Sequence, residues 1–238
     1  MLAQVLLEMH RKYGDGWLVE LLFDDLVRWN DFMAENRAMG PLGLISLGSD
    51  TIDGFVDYSA GKMQGARYES GLDNSPMYDG AFFNKNLSAK GSLSIGQMEL
   101  YDVGFSSMFV QEAEALATLA PIAKRPPSVA ARLRARAEGQ RTLIQQHLWH
   151  EGLGTFVNRF WNGTFYPRVS PTSFYALLAG AATDAQAARI VQTWLLSKER
   201  FCISPAGDFE GLHDDCYWGL PSIQRGDPAY PPLGYWRG

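Results

Sequence analysis

Apolar positions first fall into a regular pattern between Trp17 and Arg37. The run WLVELLFDDLVRWNDFMAENR places Leu18, Leu22, Leu26, Trp29 and Met33 three or four residues apart, the stripe of an amphipathic helix. Glu20, Asp24, Asp25, Arg28 and Asp31 fall on its other faces. A second helix is predicted from Asp102 to about Ala120, with Asp102 as N-cap and Phe105, Phe109, Leu116 and Leu119 on its buried side. Pro121 kinks or ends it, and Pro126 and Pro127 stop the pattern. A third helix is expected to start with Ser128 as cap and to keep Leu133, Ala137, Ile144 and Leu148 inward, its basic first half reading as a solvated surface. Two further apolar helices are predicted from Thr172 to Ala182 and from Asp184 to Lys198, the latter capped by Asp184 with Ala188, Val191 and Leu195 inward. Met1 to His10 reads as the end of another helix.

Between Thr155 and Arg168 the pattern changes to two aromatic-rich segments around Asn162-Gly163, a hairpin signal. The stretches from Gly40 to Ser94 and from Cys202 to Gly238 hold most of the Gly, Pro and Asp, yet are dense in aromatic residues and Met. They read as long ordered loops, and such loops between antiparallel helices usually carry function. No fixed-period repeat interrupts the chain, so one domain is expected.

Composition narrows the function classes. With 238 residues, 46% hydrophobic and 20% charged, the chain has the balance of a soluble globular protein. Twenty-one Lys and Arg against 26 Asp and Glu give a net charge of −5, which lacks the cationic excess that nucleic-acid binding draws on. No apolar run approaches the roughly 20 residues of a membrane span, and no secretory signal is read in Met1 to His10, so no membrane partner and a cytoplasmic location are expected. Cys202 and Cys216 are too few for a disulfide scaffold and are expected as free thiols. His10, His147, His150 and His213 are scattered, so neither a metal nor another cofactor is expected. Thirteen Phe, seven Trp and ten Tyr are a generous supply of flat apolar faces with polar edges, which suit sugar rings as well as cores.

The densest polar segment is ARYESGLDNSPMYDG, Ala66 to Gly80, which sets Glu69, Asp73, Asn74 and Asp79 among Tyr68, Met77 and Tyr78. A carboxyl partly buried among aromatics has its pKa raised toward the range where it donates a proton. The same composition also suits a loop whose carboxylates cap backbone N–H groups. Near the C-terminus, Trp218-Gly219-Leu220-Pro221 and then Pro231 to Gly238 (PPLGYWRG) combine aromatics with a guanidinium, a stacking platform beside a fixed donor fork.

Taken in order, GARYESGLDNSPMYD, VGFSSMFVQEAEALATLA, FYPRVSPTSFYALLAG, CYWGLPSI and PPLGYWRG resemble segments of glycoside hydrolase family 63, which includes processing α-glucosidases and mannosylglycerate hydrolases. The resemblance extends from about Tyr13 to Gly238. It implies an all-α fold, an (α/α)6 barrel with long loops at one end, and an inverting hydrolysis of small α-glucosides or α-mannosides. Asp73 is then the general acid, Arg67, Tyr68, Glu69 and Asn74 line or orient the sugar subsite, and Trp236 and Arg237, with Trp218 and Tyr235, hold the sugar from the opposite wall. The expected partner is a small carbohydrate such as mannosylglycerate, glucosylglycerate or a short oligosaccharide.

An inverting reaction needs a second carboxylate about 6.5–9.5 Å from the first to activate water. In the family that base follows the tryptophan-arginine motif, and no residue here matches it. Asp79, Asp102, Glu210, Asp214 and Asp215 are substitutes in type but not in position. Twelve helices close such a barrel, whereas five or six are legible, so a single catalytic domain over residues 1–238 is expected as a partial barrel, truncated at both ends, with apolar surface left uncovered. The alternative is a non-catalytic barrel fragment that binds sugar weakly or serves in interactions.

Overall fold

A computed structural model describes residues 2–50, 58–88, 94–202 and 220–230. Helix α1 covers Leu2–Tyr13, α2 Gly16–Asn36, α3 Met63–Ser70, α4 Val103–Leu119 and α5 Pro127–His147. The axis of the structure is α4. Asp102 caps it as expected, its Oδ1 accepting the Phe105 N–H at 2.7 Å. Small residues at Gly104, Ser106, Ser107, Ala113, Ala115 and Ala117 are all buried, and they let helices approach α4 from several sides at once. One core lies between α4, α5 and the chain that follows, around Val110, Ile144, Phe156, Phe174 and Trp194. Another lies between α4 and the α1–α2 pair, around Leu6, Val19, Phe23, Leu116 and Leu133.

Helix α2 forms where expected, but rotated. Val19, Phe23, Leu26, Asn30 and Met33 are the buried stripe, while Leu22 and Trp29 are exposed. The run WLVELLF is apolar nearly all round, so two stripes share the helical period and only the partner decides between them. Leu2, Val5, Trp17, Leu21 and Trp29 remain as exposed apolar side chains on α1 and α2.

Helix α5 begins one residue before its expected cap, with Pro126 as cap and Pro127 at the first helical position. Its basic first half is not simply solvated. Arg136 donates to Asn30 Oδ1 and Asp31 Oδ1, both at 2.6 Å, and Arg132 pairs with Asp31, so these arginines clamp α5 to α2. Glu112, on α4, makes a further tie between helices. It is buried, and its Oε1 accepts the Ala3 N–H at 2.8 Å at the start of α1, where helix N–H groups lack intrahelical partners.

The all-helical expectation misses a four-stranded sheet. Strands β1 (Ser46–Asp50) and β2 (Phe83–Ser88) lie within the stretch read as loop and β3 (Ser94–Tyr101) runs on from its end, in the order β1-β3-β2, all antiparallel. SLGSD and FNKNLS carry no alternating pattern of their own, so it is pairing with β3 that makes them strands.

Beyond α5, β4 (Trp149–His150) pairs with β5 (Thr155–Phe156). The turn at Asn162-Gly163 forms as expected, with β6 (Arg159–Phe160) bridging to Phe165 and also pairing with β3. The helix expected over 172–182 shrinks to a 3-10 turn at Pro171–Phe174 and a single turn, α6, at Tyr175–Leu178. The next, α7 (Asp184–Ile190), is capped not by Asp184 but by Thr183, whose Oγ1 accepts the Gln186 N–H while Gln186 reaches back in a capping box. It runs on through a π-helical turn, Val191–Leu195, and turns Ile190 and Trp194 inward in place of Ala188, Val191 and Leu195. Cys202 is buried and disulfide-bonded, contrary to the free thiol expected from counting cysteines, because a count carries no distances. No helix among the described residues is long and apolar enough to cross a membrane.

Burial opposes ionisation of Asp31, but its bonds to Arg132 and Arg136 outweigh it and hold the carboxyl below its ordinary value. A depressed carboxyl contributes stability above its unfolded pKa and loses it as pH falls through the folded one. Asp31→Asn is therefore expected to lower stability at pH 7 by up to about 1 kcal/mol, a deficit that shrinks as pH falls through and below the carboxylate range. Urea midpoints at pH 7 and pH 3 measure it.

Candidate functional site

Helix α3 carries three of the expected site residues, and each does something different. Tyr68 is exposed, Glu69 turns inward and Arg67 runs along the loop that follows. The helix stops at Gly71 in the left-handed conformation (φ 69°), which glycine adopts without the strain a Cβ imposes. Ser70 Oγ accepts the Leu72 N–H at 2.8 Å, tightening the exit into the Asp73 loop.

Glu69 is bound to protein on both oxygens. Arg37 Nε lies 2.9 Å from each of them, and the Gly48 N–H donates to Oε2 at 2.6 Å. The same guanidinium meets Asp50 through Nη1 at 3.1 Å and Nη2 at 3.0 Å. Burial alone would lower the Arg37 pKa; the two carboxylates more than reverse this and leave it raised. Gly48 is required by close approach, since a Cβ there would lie 2.6 Å from Gly96 O and 2.8 Å from the Arg37 guanidinium carbon. Glu69 is thus a structural anchor that pins α3 to β1, which narrows the sugar-lining role expected of it.

Arg67 is likewise committed to the protein. Its Nη1 lies 3.4 Å from both the Asp73 and Ser75 carbonyls, and its Nη2 donates to Asp79 Oδ1 at 3.1 Å. It staples the loop from beneath. Pro76–Tyr78 then form a 3-10 turn capped by Ser75, and the Tyr78 hydroxyl donates to Asp102 Oδ2 at 3.1 Å. Burial, and then the Asp102 charge, push Tyr78 well above the phenol range and keep it a donor. Burial also raises Asp102, partly offset by bonds from the Phe105 N–H, Tyr78 and Asn158. Asp102 and Asp79, both weighed as substitute bases, are therefore occupied, one as a helix cap and one by Arg67.

Asp73 is half-buried, and among the described residues its carboxylate has no hydrogen bond or ion pair, although its backbone is held. Asn74 beside it is exposed. Next to this loop runs a furrow floored by α4. A cleft of about 450 Å³ has Trp29, Glu69 and Phe109 among its lining residues. A smaller hollow of about 130 Å³ is lined by Ser70, Leu72, Asp102, Thr172 and Tyr175. Phe105 and Met108 of α4 line both. Trp29, Phe105 and Phe109 line this furrow, whereas Phe23, Tyr101, Phe156 and Trp194 are core. Among the described residues no three His, Cys, Asp or Glu gather as metal ligands. Trp218, Tyr235, Trp236 and Arg237, with Glu210, Asp214 and Asp215, lie outside the described residues.

The sequence matches the mannosylglycerate hydrolase MGH1-like glycoside hydrolase domain over residues 1–238. The chain belongs to this MGH1-like glycoside hydrolase family. No curated protein matches it. Among solved structures, the mannosylglycerate hydrolase of glycoside hydrolase family 63 from Thermus thermophilus is similar in its complex with glucose (TM-score 0.65, 20% identity, 99% of this chain and 57% of that one). Its complex with Tris is similar too (TM-score 0.67, 18% identity, 99% of this chain and 59% of that one). An uncharacterized conserved protein from the same organism superposes with a TM-score of 0.66 at 19% identity, over 99% of this chain and 58% of that one. The MGH1-like chain thus spans under three-fifths of the length of these structures, and the likeness is one of fold.

Sequence reasoning missed Arg37, Asp50 and Asn158, because nothing local links an arginine at the end of one helix to a carboxylate 32 positions on. Only Tyr78 and Asp102, each beside a motif already singled out, were within its reach. Replacing Glu69 with Gln leaves Arg37 short of a charge partner in a buried site and is expected to cost about 3 kcal/mol of stability. A residue that only touched sugar would leave the denaturation midpoint unchanged, so chemical unfolding of Glu69→Gln separates the two roles.

Proposed function

We propose that this chain carries the acid-bearing part of an inverting α-glycoside hydrolase built on an (α/α)6 barrel, within one catalytic domain. Its substrates are small α-glucosides or α-mannosides of the mannosylglycerate, glucosylglycerate or short-oligosaccharide type. The observation that carries this reading is Asp73: a carboxyl beside an aromatic furrow, without protein partners among the described residues, on a loop held by Arg67 and Tyr78. A general acid must be free to donate while its backbone is fixed. Asp73 protonates the glycosidic oxygen as the bond breaks, and water attacks the opposite face of an oxocarbenium-like centre.

Tyr68 and Asn74, both exposed beside Asp73, contact the sugar in this reading. Arg67 and Glu69 act one layer behind, holding the loop and α3. Trp218, Tyr235, Trp236 and Arg237 form the opposite wall. The base is assigned to no described residue. The reading includes a cytoplasmic location and no nucleic-acid or membrane partner; the disulfide at Cys202 weighs against the location, since cytosolic thiols are kept reduced.

Asp73→Asn is expected to leave the unfolding midpoint close to wild type and to lower kcat/KM on such α-glycosides by about 10²- to 10⁴-fold. Proton NMR of the first-formed sugar should show the inverted anomer. An unchanged kcat/KM would remove Asp73 from the acid role, and a retained anomer would remove the water mechanism.

A further inference from the structure

Tyr166 lies just beyond the Asn162-Gly163 turn, within the segment FYPRVSPTSFYALLAG, and the reading above gives it no role. Its hydroxyl accepts from Arg168 Nε at 2.9 Å. Arginine is only ever a donor, so the hydroxyl proton is directed the other way, to the Pro76 carbonyl at 3.2 Å. Pro76 opens the 3-10 turn that follows Asp73. The Tyr166 ring is packed in place: Phe160 stands 5.3 Å away between centroids, and a Cβ on Gly80 would come within 3.1 Å of it.

Arg168 is itself fixed by an ion pair with the buried Asp227, whose Oδ1 also accepts the Ala229 N–H at 2.8 Å. The Gln224 N–H donates to Val169 O at 3.2 Å beside this pair. Asp227, Arg168, Tyr166 and Pro76 therefore form one unbroken polar chain. It runs from the segment 220–230 to the acid loop.

We propose that Tyr166, oriented by Arg168 and Asp227, is a positioning residue that sets the Asp73 carboxyl at the glycosidic oxygen. Arg67 holds the loop from below, at 3.4 Å from the Asp73 and Ser75 carbonyls and 3.1 Å from Asp79, and Tyr78 ties down its far end. Tyr166 adds a grip from outside, at a carbonyl three residues from the acid. Proton donation needs hydrogen-bond reach, and a displacement of about 1 Å can cost on the order of 100-fold in rate. The inference rests on Asp73 being the general acid.

The test uses Tyr166→Phe, which removes one hydroxyl and keeps the ring, on two α-glycosides of the same sugar. One has an alkyl aglycone that leaves only when protonated; the other, a dinitrophenyl glycoside, leaves without help. Tyr166→Phe is expected to lose about 10-fold in kcat on the alkyl glycoside and under about 2-fold on the activated one, with KM unchanged. Asp227→Asn should shift the same ratio in the same direction, and hydrogen exchange in residues 72–81 should quicken in both variants. Equal losses on the two substrates while Asp73→Asn remains selective would make Tyr166 merely structural and overturn the inference alone. A non-selective Asp73→Asn, or no hydrolysis by the wild-type protein, would overturn the acid assignment and this inference with it.

Discussion

The Arg37 guanidinium, buried and shared between Glu69 and Asp50, is the interaction on which the site depends. Removing an arginine from water costs several kcal/mol, offset only when its donors are matched by acceptors in good geometry. Here Asp50 takes two donors side by side, and Glu69 takes Nε on both oxygens plus an N–H from Gly48. Those bonds bring together the end of α2, strand β1 and helix α3, from three separate parts of the chain. The absent side chain at Gly48 is what lets the guanidinium lie against the sheet. With α3 held there, the loop leaving its C-terminus has one direction in which to go.

A second device ties that loop to the floor of the furrow. Asp102 begins α4 by capping it, and its other oxygen receives Tyr78 from the Asp73 loop and Asn158 from the chain before β6. One buried carboxylate thus joins the start of the floor to the wall above it. Burial keeps Tyr78 protonated, so its hydroxyl stays a donor to Asp102. The loop is consequently fixed through its backbone and through neighbours of Asp73, while the Asp73 carboxylate has no partner among the described residues.

At 18–20% identity, the likeness to the Thermus structures rests on features that tolerate substitution. The arrangement of helices around α4 is set by small buried residues and by caps, which many sequences satisfy, so fold outlasts side-chain identity. The exposed apolar side chains of α1 and α2 accompany a chain that spans under three-fifths of those structures.

Helix positions were legible wherever apolar spacing and a cap agreed: Asp102 opens α4, and Pro126-Pro127 separates it from α5. The Asp73 loop was legible as a motif, because GLDNSP is contiguous in the chain. What the spacing could not tell was which face of an all-round apolar helix turns inward, so α2 and the segment from α7 to Leu195 bury different stripes from those expected. Strands β1 and β2 were invisible because their sequences become strands only against β3. By itself, then, the sequence determined the helix-rich class, the family and the place of Asp73 in the chain, all of which depend on residues close together. Only the tertiary structure decided that Glu69 and Arg67 serve the scaffold, that the Asp102 cap also receives Tyr78 and Asn158, and that Tyr166 reaches Pro76. Each of those follows from contacts between residues far apart in sequence, and no local pattern encodes the distance between them.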